Sequence, residues 1–280
     1  MAEIWRLYSQ HLVCGGNMAD NKPMSRYSYL RQCKIPFKIK LTDSFVQSLM
    51  KIAESKPFLD EVLATPLESQ LQQHAQIKFI TYSNQIEGNK LDEKTVATLL
   101  EMSQMKPKNR EAKEILNYQN ALTFAEKLAA EKKPPSIRDF CDLQKLVTDE
   151  LVQKNQHGRF RTIHASIVDG TTGTEVEVCP DPKQVPFLIE ELWEWLKDNE
   201  ESNPFAKAFA FNYLAAAIQP FAEGNGRTVR LFQQILLLQG GESIARYIPI
   251  EAIVMKNRRR YYAAIKQCKA LQSTQPMLEF

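Results

Sequence analysis

The sequence predicts an all-α protein, a helical bundle carrying one small β-hairpin. Three observations predict it. From Asp43 onward apolar residues recur at helical spacing. Proline and glycine residues cut that rhythm into helix-length pieces. One short segment switches to strand alternation, and no period of roughly 20–50 residues repeats, which excludes a solenoid.

Residues 1–42 read as an irregular extension. They hold Gly15-Gly16, Pro23, Pro36 and a basic run of Arg31, Lys34, Lys38 and Lys40, expected on a solvated face. Phe45, Leu49 and Ile52 then make one stripe behind the cap-like Thr42-Asp43. Further helices are predicted near 58–79, 91–104, 109–131, 136–153, 185–198, 203–218, 227–239 and 257–271. The breakers within or between them are Pro66, Pro107, Pro134-Pro135, Gly158, Pro180, Pro204, Pro220 and Gly240-Gly241. The exception is Ile167-Val168, followed by Asp169-Gly170, Gly173 and the alternating run Thr174-Glu175-Val176-Glu177-Val178. The Asp-Gly pair suits a turn, so this segment reads as a hairpin whose edge can accept a guest strand. The expected layout is an extension over 1–42, a helical region over 43–130, a core over 131–272 and a tail over 273–280.

Composition bounds the class. The chain has 280 residues, 36 Lys+Arg and 33 Asp+Glu, a formal net charge of +3. Its apolar fraction of 44% and charged fraction of 25% exclude a disordered or collagen-like chain. The weak positive balance gives no basic stripe for nucleic acid. Cys14, Cys33, Cys141, Cys179 and Cys268 are scattered, with no CxxC or Cys/His cluster, so free thiols are expected and no zinc site. The uncharged stretch 208–222 falls short of the ~20 apolar residues of a membrane span. The first residues, with Glu3 and Arg6, lack the order of a secretory signal. A cytoplasmic protein is expected; a secreted effector and a homodimer both stay compatible with the sequence.

The most informative stretch is Gln219-Pro220-Phe221-Ala222-Glu223-Gly224-Asn225-Gly226-Arg227-Thr228-Val229-Arg230. A helix ends before Pro220, a glycine-rich loop follows, and a new helix starts near Gly226. Small residues let backbone N–H groups converge, and the helix N-terminus adds partial positive charge, so the turn is an anion nest. Arg227 and Arg230, three apart, share a face of the first turn. Glu223 is an oxygen ligand placed for a phosphate-bound Mg²⁺. Residue chemistry therefore points to a Mg·nucleotide site, against the alternative of a helix–helix connection with solvated arginines. The spacing is not that of a Walker loop.

This stretch resembles the Fic motif, H-P-F-x-[D/E]-G-N-G-R-x-x-R, at eight of its nine defined positions. Gly158-Arg159-Phe160-Arg161 and Asn257-Arg258 with Tyr261-Tyr262 resemble flanking Fic segments, so the resemblance covers roughly residues 75–270. It implies an all-helical Fic core, a flap hairpin beside the site, and transfer of AMP from ATP to a hydroxyl of a target protein. Carried over, Glu223 would bind Mg²⁺. Gly224, Asn225, Gly226 and Arg227 would hold the α- and β-phosphates, and Arg230 the γ-phosphate. Phe221 would anchor the loop, Tyr261 or Tyr262 would wall the adenosine, and the flap, about 167–178, would align the target.

A second segment, Ser83-Asn84-Gln85-Ile86-Glu87-Gly88-Asn89, resembles the family's inhibitory motif [S/T]-x-x-x-E-[G/N]. Ser83 and Glu87 share a helical face, and Gly88 suits a helix end. The resemblance implies an inhibitory helix over about 79–88 whose Glu87 pairs with Arg230 and keeps it from the γ-phosphate, the arrangement of the second regulatory class. One position departs. The family's histidine, the general base, is Gln219 here, and an amide cannot take up a proton near pH 7. The sequence thus also fits a pseudoenzyme that binds nucleotide, or an interaction module that uses the flap.

Overall fold

Helix starts follow local capping chemistry. The geometry is that of a computed structural model, which describes residues 27–102, 106–131, 133–168, 173–200 and 202–280. Thr42 accepts from the Phe45 N–H and opens α2 (Asp43–Leu63), after a short α1 (Ser28–Gln32). The chain breaks at 64–66 and α3 follows (Leu67–Ile86). Asp92 and Asn109 cap α4 (Glu93–Glu101) and α5 (Arg110–Ala130). A Ser136–Asp139 capping box starts α6 (Ile137–Val147), where each side chain satisfies the other residue's N–H. The hairpin strands are β1 (Ser166–Val168) and β2 (Glu175–Val178). Then come α7 (Val185–Asp198), α8 (Pro204–Ile218), α9 (Asn225–Gln239), α10 (Ile250–Lys256), α11 (Arg258–Ala270) and α12 (Gln275–Glu279).

Several boundaries differ from expectation. The second helix runs through Pro57, and the break falls at Pro66. Helix α6 stops at Val147 instead of near 153, because the Thr148 hydroxyl turns back onto the Gln144 carbonyl and Glu150 adopts φ +57°. Residues 28–32 of the expected extension and 275–279 of the expected tail are helical, with Leu30, Met277 and Leu278 buried. These pieces, like α10, are too short for an apolar period to show. The hairpin is antiparallel, pairing Ser166 with Val178 and Ile167 with Glu177. The Asp169-Gly170 turn, residues 1–26 and hence Cys14 and His11 lie outside the described residues.

Helix α9 packs against α8, α5 and α6. Helix α8 is apolar nearly all round and has no solvent face over most of its length, which is how a core helix reads. Phe140 of α6, Trp193 of α7, Phe211 of α8 and Phe232 of α9 meet in an aromatic cluster, with Phe211 stacked on Phe232 at 4.8 Å. Phe221 joins it, 5.2 Å from Phe140 and fully buried. Burying a side chain of this size contributes roughly 1.5–3 kcal/mol. The 219–224 loop is thereby fastened to the rigid centre of the fold. Among the described residues no helix is long and apolar enough to cross a membrane.

Candidate active site

Gln219 caps α8 in the left-handed region, at φ 47° and ψ 67°. That conformation turns the chain sharply into Pro220, and side chains rarely adopt it; asparagine, aspartate and histidine do so more readily than glutamine. Its carbonyl accepts from Arg161 Nε at 2.6 Å. The buried Arg161 guanidinium also donates to the carbonyls of Ile163, Pro180 and Ile218, and its N–H donates to Pro220. One side chain so ties the end of α8 to the base of the flap. Gln144 supplies a second tie, donating to the Glu223 carbonyl at 3.0 Å and accepting from the Gly158 N–H at 2.6 Å.

The loop closes on itself through Asn225. Its Oδ1 accepts from the Phe221 N–H at 2.8 Å and its Nδ2 donates to the Phe221 carbonyl at 2.7 Å. The expectation that Asn225 holds phosphate is thus narrowed to its backbone, since both side-chain atoms belong to the loop. Gly224 stands at φ +82°, where a Cβ would sit 2.7 Å from the Thr148 methyl, so this position requires glycine. Gly224 offers no side-chain cap to α9. The first N–H groups of that helix have no intrahelical acceptor and point out of the loop with the positive end of the helix dipole.

Both arginines lie beside these N–H groups and are buried. Arg227 Nη1 is 3.3 Å from Asn84 Oδ1, and its Nε has no hydrogen-bond partner. Arg230 donates through Nε to the Ser83 hydroxyl at 2.9 Å and through Nη2 to the Ser83 carbonyl at 2.8 Å and to Glu87 Oε1 at 2.8 Å. Burial works against the Arg230 charge; Glu87, Tyr118 and Tyr261 outweigh it and hold its pKa above the ordinary value. Helix α3 therefore engages both arginines. Its end fixes Glu87: Asn89 N–H reaches the Asn84 carbonyl and Gly88 N–H reaches Gln85, a Schellman closure with Gly88 at φ +100°.

Glu223 is half-buried and pairs with Arg110, the first residue of α5, with Arg227 Nη2 3.8 Å away. No group of three or more His, Cys, Asp or Glu gathers among the described residues. One carboxylate beside a helix start that can receive an anion is nevertheless a donor set that suits Mg²⁺, which keeps most of its water and takes one or two carboxylates plus phosphate oxygens. Tyr261 packs on Tyr262 at 5.5 Å and on Phe280 at 5.6 Å, and burial pushes its pKa up to about 12. Among the described residues no hydrogen bond joins a histidine to Gln219: His157 is 3.1 Å from the Thr148 carbonyl, and His74 and His164 are exposed.

The structure thus gathers Ser83, Glu87, Glu223, Gly224, Asn225, Gly226, Arg227 and Arg230 around one helix start. Sequence reasoning missed Asn84 and Arg110. Asn84 lay inside the inhibitory motif at an unspecified position. Arg110 comes from over a hundred residues away in the chain.

The Fic/DOC family matches residues 134–237. The chain is 26% identical over 268 residues to the protein adenylyltransferase Fic of Nematostella vectensis, covering 93% of this chain and 57% of that protein. It is 29% identical over 196 residues to the Drosophila yakuba protein adenylyltransferase Fic, covering 69% of this chain and 37% of that one. The chain therefore spans between about a third and just over half of these relatives. Among solved structures, a Fic family protein from Desulfovibrio desulfuricans G20 superposes with a TM-score of 0.75 at 25% identity, over 88% of this chain and 72% of that one. Fic-1 from C. elegans shares the fold, with a TM-score of 0.57 at 20% identity over 83% of this chain and 72% of that one.

Proposed function

We propose that this chain, which carries a Fic/DOC-family domain at residues 134–237, is a protein adenylyltransferase held in an inhibited state by Glu87 and impaired in transfer because Gln219 stands in place of the general base. The observation that carries the reading is the pair of buried arginines at the start of α9. Arg227 keeps an unpartnered Nε, and Arg230 is taken by Ser83 and Glu87. Buried guanidinium groups beside open N–H groups fit the phosphates of ATP, the donor of AMP. In this reading the N–H groups of Asn225 and Gly226 and the Arg227 side chain bind the α- and β-phosphates, and Arg230 takes the γ-phosphate once Glu87 withdraws. Glu223 would hold Mg²⁺, which neutralises phosphate charge when bound. Tyr261 and Tyr262 would border the nucleoside. The target protein docks at the flap, and the reaction takes place in solution, in the cytoplasm or after secretion.

Gln219 favours a second reading, a nucleotide-binding pseudoenzyme. Its amide can orient a target hydroxyl but cannot remove the proton. Calorimetry of ATP with Mg²⁺ against the unaltered chain and Glu87→Gly tests the shared premise. Because the Glu87 carboxylate is about one-third exposed, its removal is expected to tighten binding by roughly three- to tenfold. Equal affinity in the two proteins would contradict the inhibitory role, and no binding to either would contradict the nucleotide site.

A further inference from the structure

Against Arg230 lies a small cavity of about 30 Å³, room for a water molecule. Arg230 of α9, Glu251 of α10 and Tyr261 of α11 line it, together with Asn212 and Gln233. Glu251 is 5% exposed and its Oε2 has no hydrogen-bond partner. Gln233 Nε2 is likewise unpartnered. The three hydrogen bonds of Arg230 all run to Ser83 and Glu87, and its Nη1 lies on the Gly226 side of the group. A buried carboxylate with one unpartnered oxygen thus lines the same cavity as the one guanidinium whose anion changes when inhibition is lifted.

We propose that Glu251 is a second, inner counter-ion of Arg230, holding the guanidinium charge when its outer side is empty and taking a proton from solvent when Glu87 or a phosphate occupies that side. This rests on the reading of α9 as a nucleotide site. The environment is consistent with it. Burial raises the Glu251 pKa to about 7, opposed by its own backbone N–H and by Arg230, the one charged side chain that bears on it. Tyr118 of α5, which feels both Glu251 and Arg230, and Tyr261 of α11 are phenols kept neutral by burial. From α3 only Glu87 is charged at this point, and it acts through Arg230. A second anion on Arg230 competes with the Glu251 carboxylate and favours its protonated form. Inhibition, or γ-phosphate binding, is therefore coupled to proton uptake at a residue that touches neither Glu87 nor nucleotide.

The test is a carbon-detected titration of glutamate carboxyl groups in the full chain, from about pH 5 to 9. The Glu251 resonance is assigned by its loss in Glu251→Gln, or by its displacement in Glu251→Asp where the glutamine variant does not fold. Glu251 is expected to titrate near 7 in the unaltered chain and about one pH unit or more lower in Glu87→Gly. Adding ATP with Mg²⁺ to Glu87→Gly is expected to move it back up. The same titration with and without Glu87 overturns the proposal, whatever ATP does. A shift on loss of Glu87, with no response of any resonance to ATP, upholds the counter-ion and contradicts the nucleotide site instead.

Discussion

Glu87 Oε1 accepts from Arg230 Nη2 at 2.8 Å, and the Glu87 carboxylate fills the space that a side chain at Gly226 would need. The glycine of the site motif and the glutamate of the inhibitory motif are therefore one fitted contact. Gly226 is not among the glycines with positive φ. Packing, and not backbone freedom, is what requires it.

That contact predicts a coupling energy in a double-mutant cycle. Gly226→Ala should destabilise the unaltered chain by about 1–3 kcal/mol, because the methyl group overlaps the Glu87 carboxylate. In the Glu87→Gly background only Arg230 Nη1, 2.9 Å from the added Cβ, is left to give way, and the same substitution should cost at least about 1 kcal/mol less. Urea unfolding of the four proteins measures it; equal costs in both backgrounds would mean the two residues do not meet.

Arg161 should matter for folding more than its place outside the site motif suggests. Arg161→Ala leaves several buried carbonyls without a donor and is expected to cost roughly 2–4 kcal/mol. Arg161→Lys should recover only part of it, since an ammonium cannot span the carbonyls of Gln219, Ile163 and Pro180 at once. Denaturant midpoints at constant slope give the comparison.

Glu223 and Arg110 should move metal dependence in opposite directions. Glu223→Ala removes the carboxylate and should largely abolish the advantage that Mg²⁺ gives to ATP binding. Arg110→Ala frees the same carboxylate from its ion pair and should strengthen that advantage. Calorimetric titrations with and without Mg²⁺ decide; the same metal dependence in both variants would show that Glu223 is not the ligand.

The parts legible in the sequence are those with a period or a fixed spacing. Helices α5, α7, α8 and α9 carry long apolar patterns or sharp caps, whereas the stretch read as one helix over 58–79 is split between α2 and α3. The residues that meet at α9 sit in two contiguous motifs, which is why Ser83, Glu87, Glu223 and Arg230 were readable together. The illegible parts are short or distant. Helix α10 has seven residues, and its Glu251 reaches the site by packing against α3. The commitment of Asn225 to Phe221 was hidden because an asparagine side chain can serve a ligand or its own loop equally well.

The central claim is that this chain keeps a nucleotide site while lacking the base that uses it. Incorporation of labelled AMP into protein, compared between Glu87→Gly and Glu87→Gly with Gln219→His, tests that claim most directly. Histidine suits the left-handed backbone at position 219 and restores a group that can take the hydroxyl proton. The account predicts that the double variant incorporates AMP roughly 10²–10⁴ times faster than Glu87→Gly alone. Equal incorporation by the two proteins would contradict it.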